Sequence, residues 1–188
     1  LSYLNAYNLD EVFLIGHSMG GKAAMTFACM YPDRVEKLVV VDISPKYYPP
    51  HHQEILSGLK AVDRSNLTSR KDADQILSQY FSESAMRQFL LKNLYWRSST
   101  ELTFKFNLKV LSDQIENIGQ ALHINALFDK PTLFIVGQAS NYIKETDVEL
   151  IESHFTDFEI VEIPKSGHWV HAENPDQFFD KVSHFLIY

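Results

Sequence analysis

Cysteine is nearly absent, with Cys29 alone in 188 residues. One thiol excludes an internal disulfide framework and any zinc site built from cysteines, and it fits a reducing compartment, so a cytoplasmic location is expected. No run of lysine or arginine is present, and 24 acidic against 17 basic residues leave a formal charge of -7. Without a basic run to neutralise phosphates, a generic nucleic-acid binder is excluded. No apolar stretch approaches the roughly 20 residues that cross a bilayer, and no basic-then-apolar leader opens the chain, so no membrane span is expected. An initiator methionine is lacking too. Leu1 and Leu4 have the spacing of the end of an amphipathic helix but no N-cap signal precedes them, so the chain is expected to begin inside an element. Apolar residues are plentiful, at 45% with 13% aromatic. A chain of this length buries roughly two thirds of its unfolded surface, enough for a core without staples.

The apolar pattern alternates between strands and helices. Residues 12–15 form a short apolar run before Gly16, as in a strand buried on both faces, and residues 20–30 are small and apolar up to Pro32, as in a helix lying flat on a sheet. Residues 38–43 make a second buried strand, which Pro45, Pro49 and Pro50 terminate. Two apolar strands joined by a helix predict a right-handed parallel unit and an α/β fold. Residues 44–130 differ: helical periodicity recurs at 52–62, 71–81, 84–94 and 108–122, with a strand-like alternation at 102–106. This stretch is slightly basic against an acidic remainder and reads as an inserted, mostly helical lid, leaving 1–43 and 131–188 as the core. In that second core segment, strands are expected at 132–136 and 159–163 and helices at 145–155 and 174–186. Asn174-Pro175 opens the last helix as N-cap and first-turn proline, with Phe178, Phe179, Val182 and Phe185 on its apolar face.

Gly16-His17-Ser18-Met19-Gly20 lies between the first strand and the first long helix. A G-x-S-x-G in that context is a nucleophile elbow: the serine sits on a strained turn with its hydroxyl projecting, and the flanking glycines let neighbouring backbone pass. The helix points its free N–H groups, beginning with that of Met19, at the place where an oxyanion would form. A serine hydroxyl needs a base, and eight histidines are available. His168 follows the last strand, at the carboxyl edge where parallel-sheet sites collect. His17 reads as a structural residue under the elbow and His171 as packing or capping at the last helix. His51, His52 and His123 fall in the lid, and His154 and His184 on helix surfaces.

The base in turn needs an acid to orient it. The loop after the 132–136 strand, Gly137-Gln138-Ala139-Ser140-Asn141, holds no carboxylate, and the nearest, Asp147, lies on a helix. Asp42 is the alternative. It ends the 38–43 strand beside Ser18, and an aspartate at the end of an apolar strand demands a partner; capping the next loop through an Asx turn is its other reading.

GHSMGGKAAM, VVVDISPKYY, a helical insertion, a GQASNYI loop and a terminal SGHW together resemble the α/β-hydrolase fold superfamily, in particular the YbfF-type esterases and their eukaryotic ABHD11-like relatives. Asp42-Ile43-Ser44-Pro45 is more specific than the elbow alone. The resemblance runs the length of the chain and implies Ser18 as nucleophile, His168 as base, Asp42 as acid, Ser140 as a polar auxiliary near the histidine, and no metal or organic cofactor. It also implies that the N-terminal part of the sheet, with the loop donating a second oxyanion N–H, is missing from this chain, so a preceding segment of the same protein is expected.

The first functional expectation is therefore a serine hydrolase of carboxylic esters or thioesters that forms an acyl-enzyme, with Tyr47, Trp96, Phe104 and Phe106 of the lid as candidate acyl-pocket residues or simply as the lid's own core. A second reading keeps the scaffold for carbon–carbon bond hydrolysis or a lyase step. A third takes the chain as a fragment inactive without the missing segment.

Overall fold

The computed structural model describes residues 1–49, 53–65 and 67–188. Pro50, His51 and His52, including the expected start of a helix at 52, lie outside the described residues. Two compact units form, Leu1–Tyr48 with Gly119–Tyr188, and Pro49–Ile118. The sequence boundaries at 44 and 130 thus shift inward. Residues on either side of the insertion are tied together within the first unit, where the Tyr48 N–H donates to the Gly119 carbonyl at 2.8 Å and the Leu122 N–H to that of Pro45 at 2.9 Å.

The first unit opens with α1 (Ser2–Ala6), β1 (Val12–His17), α2 (Met19–Met30) and β2 (Val35–Val41). The second contains α3 (Gln53–Asp63), α4 (Arg70–Leu77), α5 (Ser84–Leu91), β3 (Leu94–Trp96), β4 (Leu102–Phe104), α6 (Leu108–Asp113) and α7 (Ile115–Ile118). The first unit then resumes with β5 (Thr132–Gly137), α8 (Val148–His154), β6 (Phe158–Ile163), α9 (Val170–Glu173) and α10 (Pro175–Ile187).

In the first unit four parallel strands run in the order β1-β2-β5-β6. The two-residue period of a strand divides their side chains between two apolar layers. Leu38, Val40 and Phe134 face α2 and α8, packing on Met25, Ala28, Ile151 and Phe155. Val39, Val41, Leu133 and Ile135 face α9 and α10, packing on Val170 and Val182. β2 and β5, with a strand on either side, are buried on both faces over 38–41 and 132–135, as their apolar runs predict, while Glu36 at the start of β2 is exposed. β1 departs from that expectation. Among the described residues it pairs with β2 alone, and alternation turns Phe13 and Ile15 outward at 45% and 48% exposure while Leu14 packs inward. In α10, Phe178, Val182 and Phe185 pack inward, but Phe179 is 69% exposed and does not belong to the apolar face.

The second unit has its own core, with Leu56, Leu59, Val62, Leu77, Leu91 and Leu94 among its buried members. Its elements differ from the sequence pattern where helical periodicity runs through short breaks. α5 stops at Leu91, where the Arg70 guanidinium takes the Leu91 and Leu94 carbonyls at 2.6 and 2.5 Å, and the chain turns into β3, antiparallel to β4. The single helix expected at 108–122 is two short ones ending at Ile118; the Gly119 carbonyl is engaged by Tyr48 instead. No helix among the described residues is long and apolar enough to cross a membrane.

Candidate active site

Register brings the site residues to one edge. His17 at the end of β1 pairs with Val41 at the end of β2, so Ser18 and Asp42, each one residue further on, emerge side by side. Val41 in turn pairs with Ile135, two residues before Gly137 at the end of β5, and Gly137 pairs with Ile163 at the end of β6, a few residues before His168. All four strands run the same way, so all four chain segments meet at the carboxyl edge.

Ser18 occupies the turn between β1 and α2 at φ 54 and ψ -119, a left-handed conformation that costs a non-glycine residue on the order of 1–3 kcal/mol. Its N–H donates to the Val41 carbonyl at 3.0 Å, and its carbonyl accepts from the Lys22 N–H at 3.1 Å, which ties the turn to both sheet and helix. The steric reason for the glycines is narrower than the motif suggests. A Cβ on Gly16 would lie 2.4 Å from the Gly20 carbonyl oxygen, and one on Gly21 would lie 2.5 Å from Ile43 Cγ2, whereas one on Gly20 meets nothing within 4 Å among the described residues. Gly16 and Gly21, not Gly20, permit the close packing of α2.

Asp42 is fully buried, also at positive φ, and three donors converge on its carboxylate. Oδ1 accepts the Gly137 N–H at 3.1 Å. Oδ2 accepts the Ser140 hydroxyl at 2.5 Å and His168 Nδ1–H at 2.7 Å. With Nδ1 donating to a carboxylate, the neutral imidazole presents an unprotonated Nε2, which accepts the Ser18 hydroxyl at 2.9 Å. Ser18, His168 and Asp42 therefore form one hydrogen-bonded line. Met19 is the first residue of α2, so its N–H has no carbonyl partner within the helix.

Asp147, the other acid considered, lies elsewhere: its Oδ2 accepts Lys46 Nζ at 2.5 Å and the Lys144 N–H at 2.9 Å. His17 does sit under the elbow, its Nε2–H donating to the His168 carbonyl at 2.7 Å, and burial lowers its pKa. His171 contacts Phe178 of α10 edge-on at 6.0 Å. His154 is a correction, for it is buried and its Nδ1 bonds the Ala126 carbonyl at 2.8 Å rather than lying on a helix surface. Among the four candidate pocket aromatics, Phe104 is buried in the core of the second unit and stacks on Phe106 at 5.0 Å, while Tyr47 and Trp96 are about half exposed. No group of three or more His, Cys, Asp or Glu able to hold a metal ion occurs among the described residues.

Sequence reasoning missed the layer behind the histidine. The Tyr142 ring stacks on the His168 ring with 3.9 Å between centroids and 17° between planes. Gly137 contributes an N–H to Asp42, and a Cβ on it would lie 2.0 Å from the Gly167 carbonyl, so only glycine admits the histidine loop at that distance. Neither role leaves a mark in local sequence. Beneath them, Tyr48 donates its hydroxyl to the Tyr142 carbonyl at 2.5 Å, with the Lys22 and Lys46 ammonium groups 5.0 and 5.1 Å from its ring centroid. Lys22 Nζ donates to the Lys46 carbonyl.

Burial, helped by the Lys46 charge, lowers the Lys22 pKa to about 8. Between about 8 and the ordinary lysine value the unfolded chain binds more protons at this position than the folded one, so stability rises with pH across that window. The unfolding free energy of the wild type is expected to gain on that of Lys22→Met from pH 7 to pH 9.5, by up to about 1.4 kcal/mol per pH unit. Denaturant titrations of both proteins at the two pH values measure this; parallel curves would refute it.

The chain matches the family described as alpha/beta hydrolase fold over residues 2–175. Esterase YbfF of Escherichia coli (strain K12) is 38% identical over 184 residues, covering 97% of this chain and 70% of that protein. The sn-1-specific diacylglycerol lipase ABHD11 of Mus musculus is 38% identical over 179 residues, covering 92% of this chain and 58% of that one. A Haemophilus influenzae relative, also 38% identical, is spanned over 64% of its length. Among solved structures, a marine microorganism esterase superposes with a TM-score of 0.91 at 37% identity, covering 98% of this chain and 73% of that chain. The chain therefore belongs to the α/β-hydrolase fold family, in the group that includes YbfF and ABHD11.

Proposed function

We propose that the protein is a serine hydrolase of carboxylic esters, thioesters included, that works through an acyl-enzyme. The observation that carries this reading is the line from Ser18 Oγ through His168 to Asp42, with each hydrogen bond under 3 Å. The names of its relatives, esterase and diacylglycerol lipase, point to ester substrates.

In this mechanism Ser18 Oγ attacks the acyl carbon while His168 Nε2 takes its proton. Negative charge gathers on the carbonyl oxygen, where the Met19 N–H and the N-terminal end of α2 receive it. Asp42 holds the imidazole in the tautomer that leaves Nε2 free and stabilises the imidazolium that forms. Ser140 supports that carboxylate by its own hydrogen bond. The imidazolium then protonates the leaving alkoxide or thiolate. Water enters, gives a proton to Nε2 and attacks the acyl carbon; the tetrahedral intermediate then collapses, the acid leaves, and Nε2 returns the proton to Ser18 Oγ. No metal or organic cofactor takes part.

The test is turnover of p-nitrophenyl esters across acyl lengths by the full-length protein, with fluorophosphonate labelling of Ser18. Turnover of at least one ester and labelling at Ser18 are expected. Labelling without turnover of any ester would move the reaction to another bond, and absence of both would end the hydrolase reading.

A further inference from the structure

We infer that Tyr142 is a positioning residue that fixes the ring plane of His168, with Tyr48 as its anchor. His168 must keep both nitrogens aligned at once, Nδ1 on Asp42 Oδ2 at 2.7 Å and Nε2 on Ser18 Oγ at 2.9 Å. Both bonds lie near the ring plane, so rotation about the bond to the ring misaligns them together. The hydrogen bonds by themselves tolerate a modest rotation, because they weaken steeply only once the angle falls below about 120°. A stacked ring resists it sterically. At 3.9 Å and 17° the imidazole lies flat on the phenol, and any tilt drives one of its edges into the Tyr142 face. The His17 ring, 4.8 Å away at 43°, is tilted against the imidazole rather than stacked on it.

A wall must itself be held. The Tyr142 N–H donates to Ser140 Oγ at 3.2 Å, and its carbonyl accepts the Tyr48 hydroxyl at 2.5 Å, while the two phenol rings stack at 5.6 Å. Tyr48 is fixed in turn by the Ser44 N–H on its oxygen at 3.0 Å and by the Gly119 carbonyl on its own N–H at 2.8 Å. Burial, with the Asp42 charge, raises the Tyr142 pKa, so the ring that faces His168 is a neutral phenol. When His168 becomes an imidazolium, the electron-rich face of that phenol favours the cation, which adds to the geometric effect.

This inference rests on the hydrolase reading for its kinetic consequence but not for its structural one, and the experiment separates the two. Tyr142→Phe keeps the stacked face and is expected to retain at least half of the wild-type kcat. Tyr142→Leu removes the face and is expected to lower kcat by about 10- to 100-fold with KM within about twofold, in line with what small misplacements of reacting groups cost. Tyr48→Phe, which keeps the Tyr142 face but removes the hydroxyl that bonds the Tyr142 carbonyl and Ser44, is expected to lower kcat by a few fold and serves if the leucine variant does not fold. In parallel, proton NMR follows the downfield Nδ1 proton of His168, which should be sharp in wild type and Tyr142→Phe and broadened or lost in Tyr142→Leu and weakened in Tyr48→Phe. Were the protein to turn over no ester, the same NMR comparison would still support the positioning role while the hydrolase reading fell. A resonance and kcat unchanged in both Tyr142→Leu and Tyr48→Phe, or no downfield proton in the wild type, would overturn it.

Discussion

Ser18→Ala is expected to lower ester turnover by about 10⁶-fold, the scale on which removing a serine nucleophile acts elsewhere. The size follows from what the hydroxyl does. Without Oγ no acyl-enzyme forms, His168 has no proton to take, and only binding and the Met19 N–H remain to favour direct attack by water. The same variant should lose fluorophosphonate labelling entirely. Alanine at this position keeps the strained φ of 54 at a cost similar to that of serine and deletes one part-buried hydrogen bond, so the unfolding midpoint should stay close to that of the wild type. Residual turnover within about tenfold of the wild type would remove Ser18 from the reaction. A midpoint lowered by many degrees would instead trace the loss to the fold.

The second large effect is at Asp42. Asp42→Asn is expected to lower kcat/KM by about 10⁴-fold, the cost of putting the imidazole in the wrong tautomer. The hydrogen bonds leave no good way to place the amide. The carboxylate receives three donors, the Gly137 N–H on Oδ1 and both Ser140 O–H and His168 Nδ1–H on Oδ2. Asparagine has one acceptor oxygen and one NH₂. If the NH₂ takes the Oδ2 place, it faces His168, whose Nδ1 must then accept; the proton moves to Nε2, and the ring can no longer take the Ser18 proton. If the NH₂ takes the Oδ1 place, it opposes the Gly137 N–H inside a fully buried site, a mismatch of about 1–3 kcal/mol, and the negative charge that favours the imidazolium is gone in either case. Asp147→Asn is the control. Among the described residues its carboxylate bonds Lys46 Nζ and the Lys144 N–H, neither of which bonds His168, and the change should lower kcat/KM by less than about tenfold. Equal losses in the two variants, or a larger loss at Asp147, would take the acid role from Asp42. Both are read from p-nitrophenyl ester kinetics near pH 7.5.

Much of the fold was legible because its signals are local. β2 over 38–41 and β5 over 133–136 are continuous apolar runs, and a strand segment buried on both faces needs little more than that. α10 carries its own start, with Asn174 accepting the Gln177 N–H ahead of Pro175. The elbow was legible for the same reason, since the turn, the strand before it and the helix after it are adjacent in the chain. Short elements were not. Three-residue strands such as β3 and β4 contain too few alternations to show a period, so residues 92–94 read as the end of a helix until the Arg70 guanidinium and strand pairing decide otherwise. Exposure at Phe13 and Ile15 was also beyond an apolar run taken alone, because a strand's burial depends on its neighbours and not on its composition.

The site divides along the same boundary. Chain order alone made candidates of Ser18, the histidine after the last strand and two rival aspartates, because each follows a recognisable strand or loop. What the residues could not state was distance. Asp42 and His168 are 126 positions apart, and only parallel register, which brings the ends of all four strands to one edge, makes them neighbours at 2.7 Å and leaves Asp147 with Lys46 instead. The Gly137 N–H on Asp42 and the Tyr142 face on His168 belong wholly to the tertiary structure. A backbone donor and a stacked ring act through where they are held, and that is set by packing between segments that no local pattern connects.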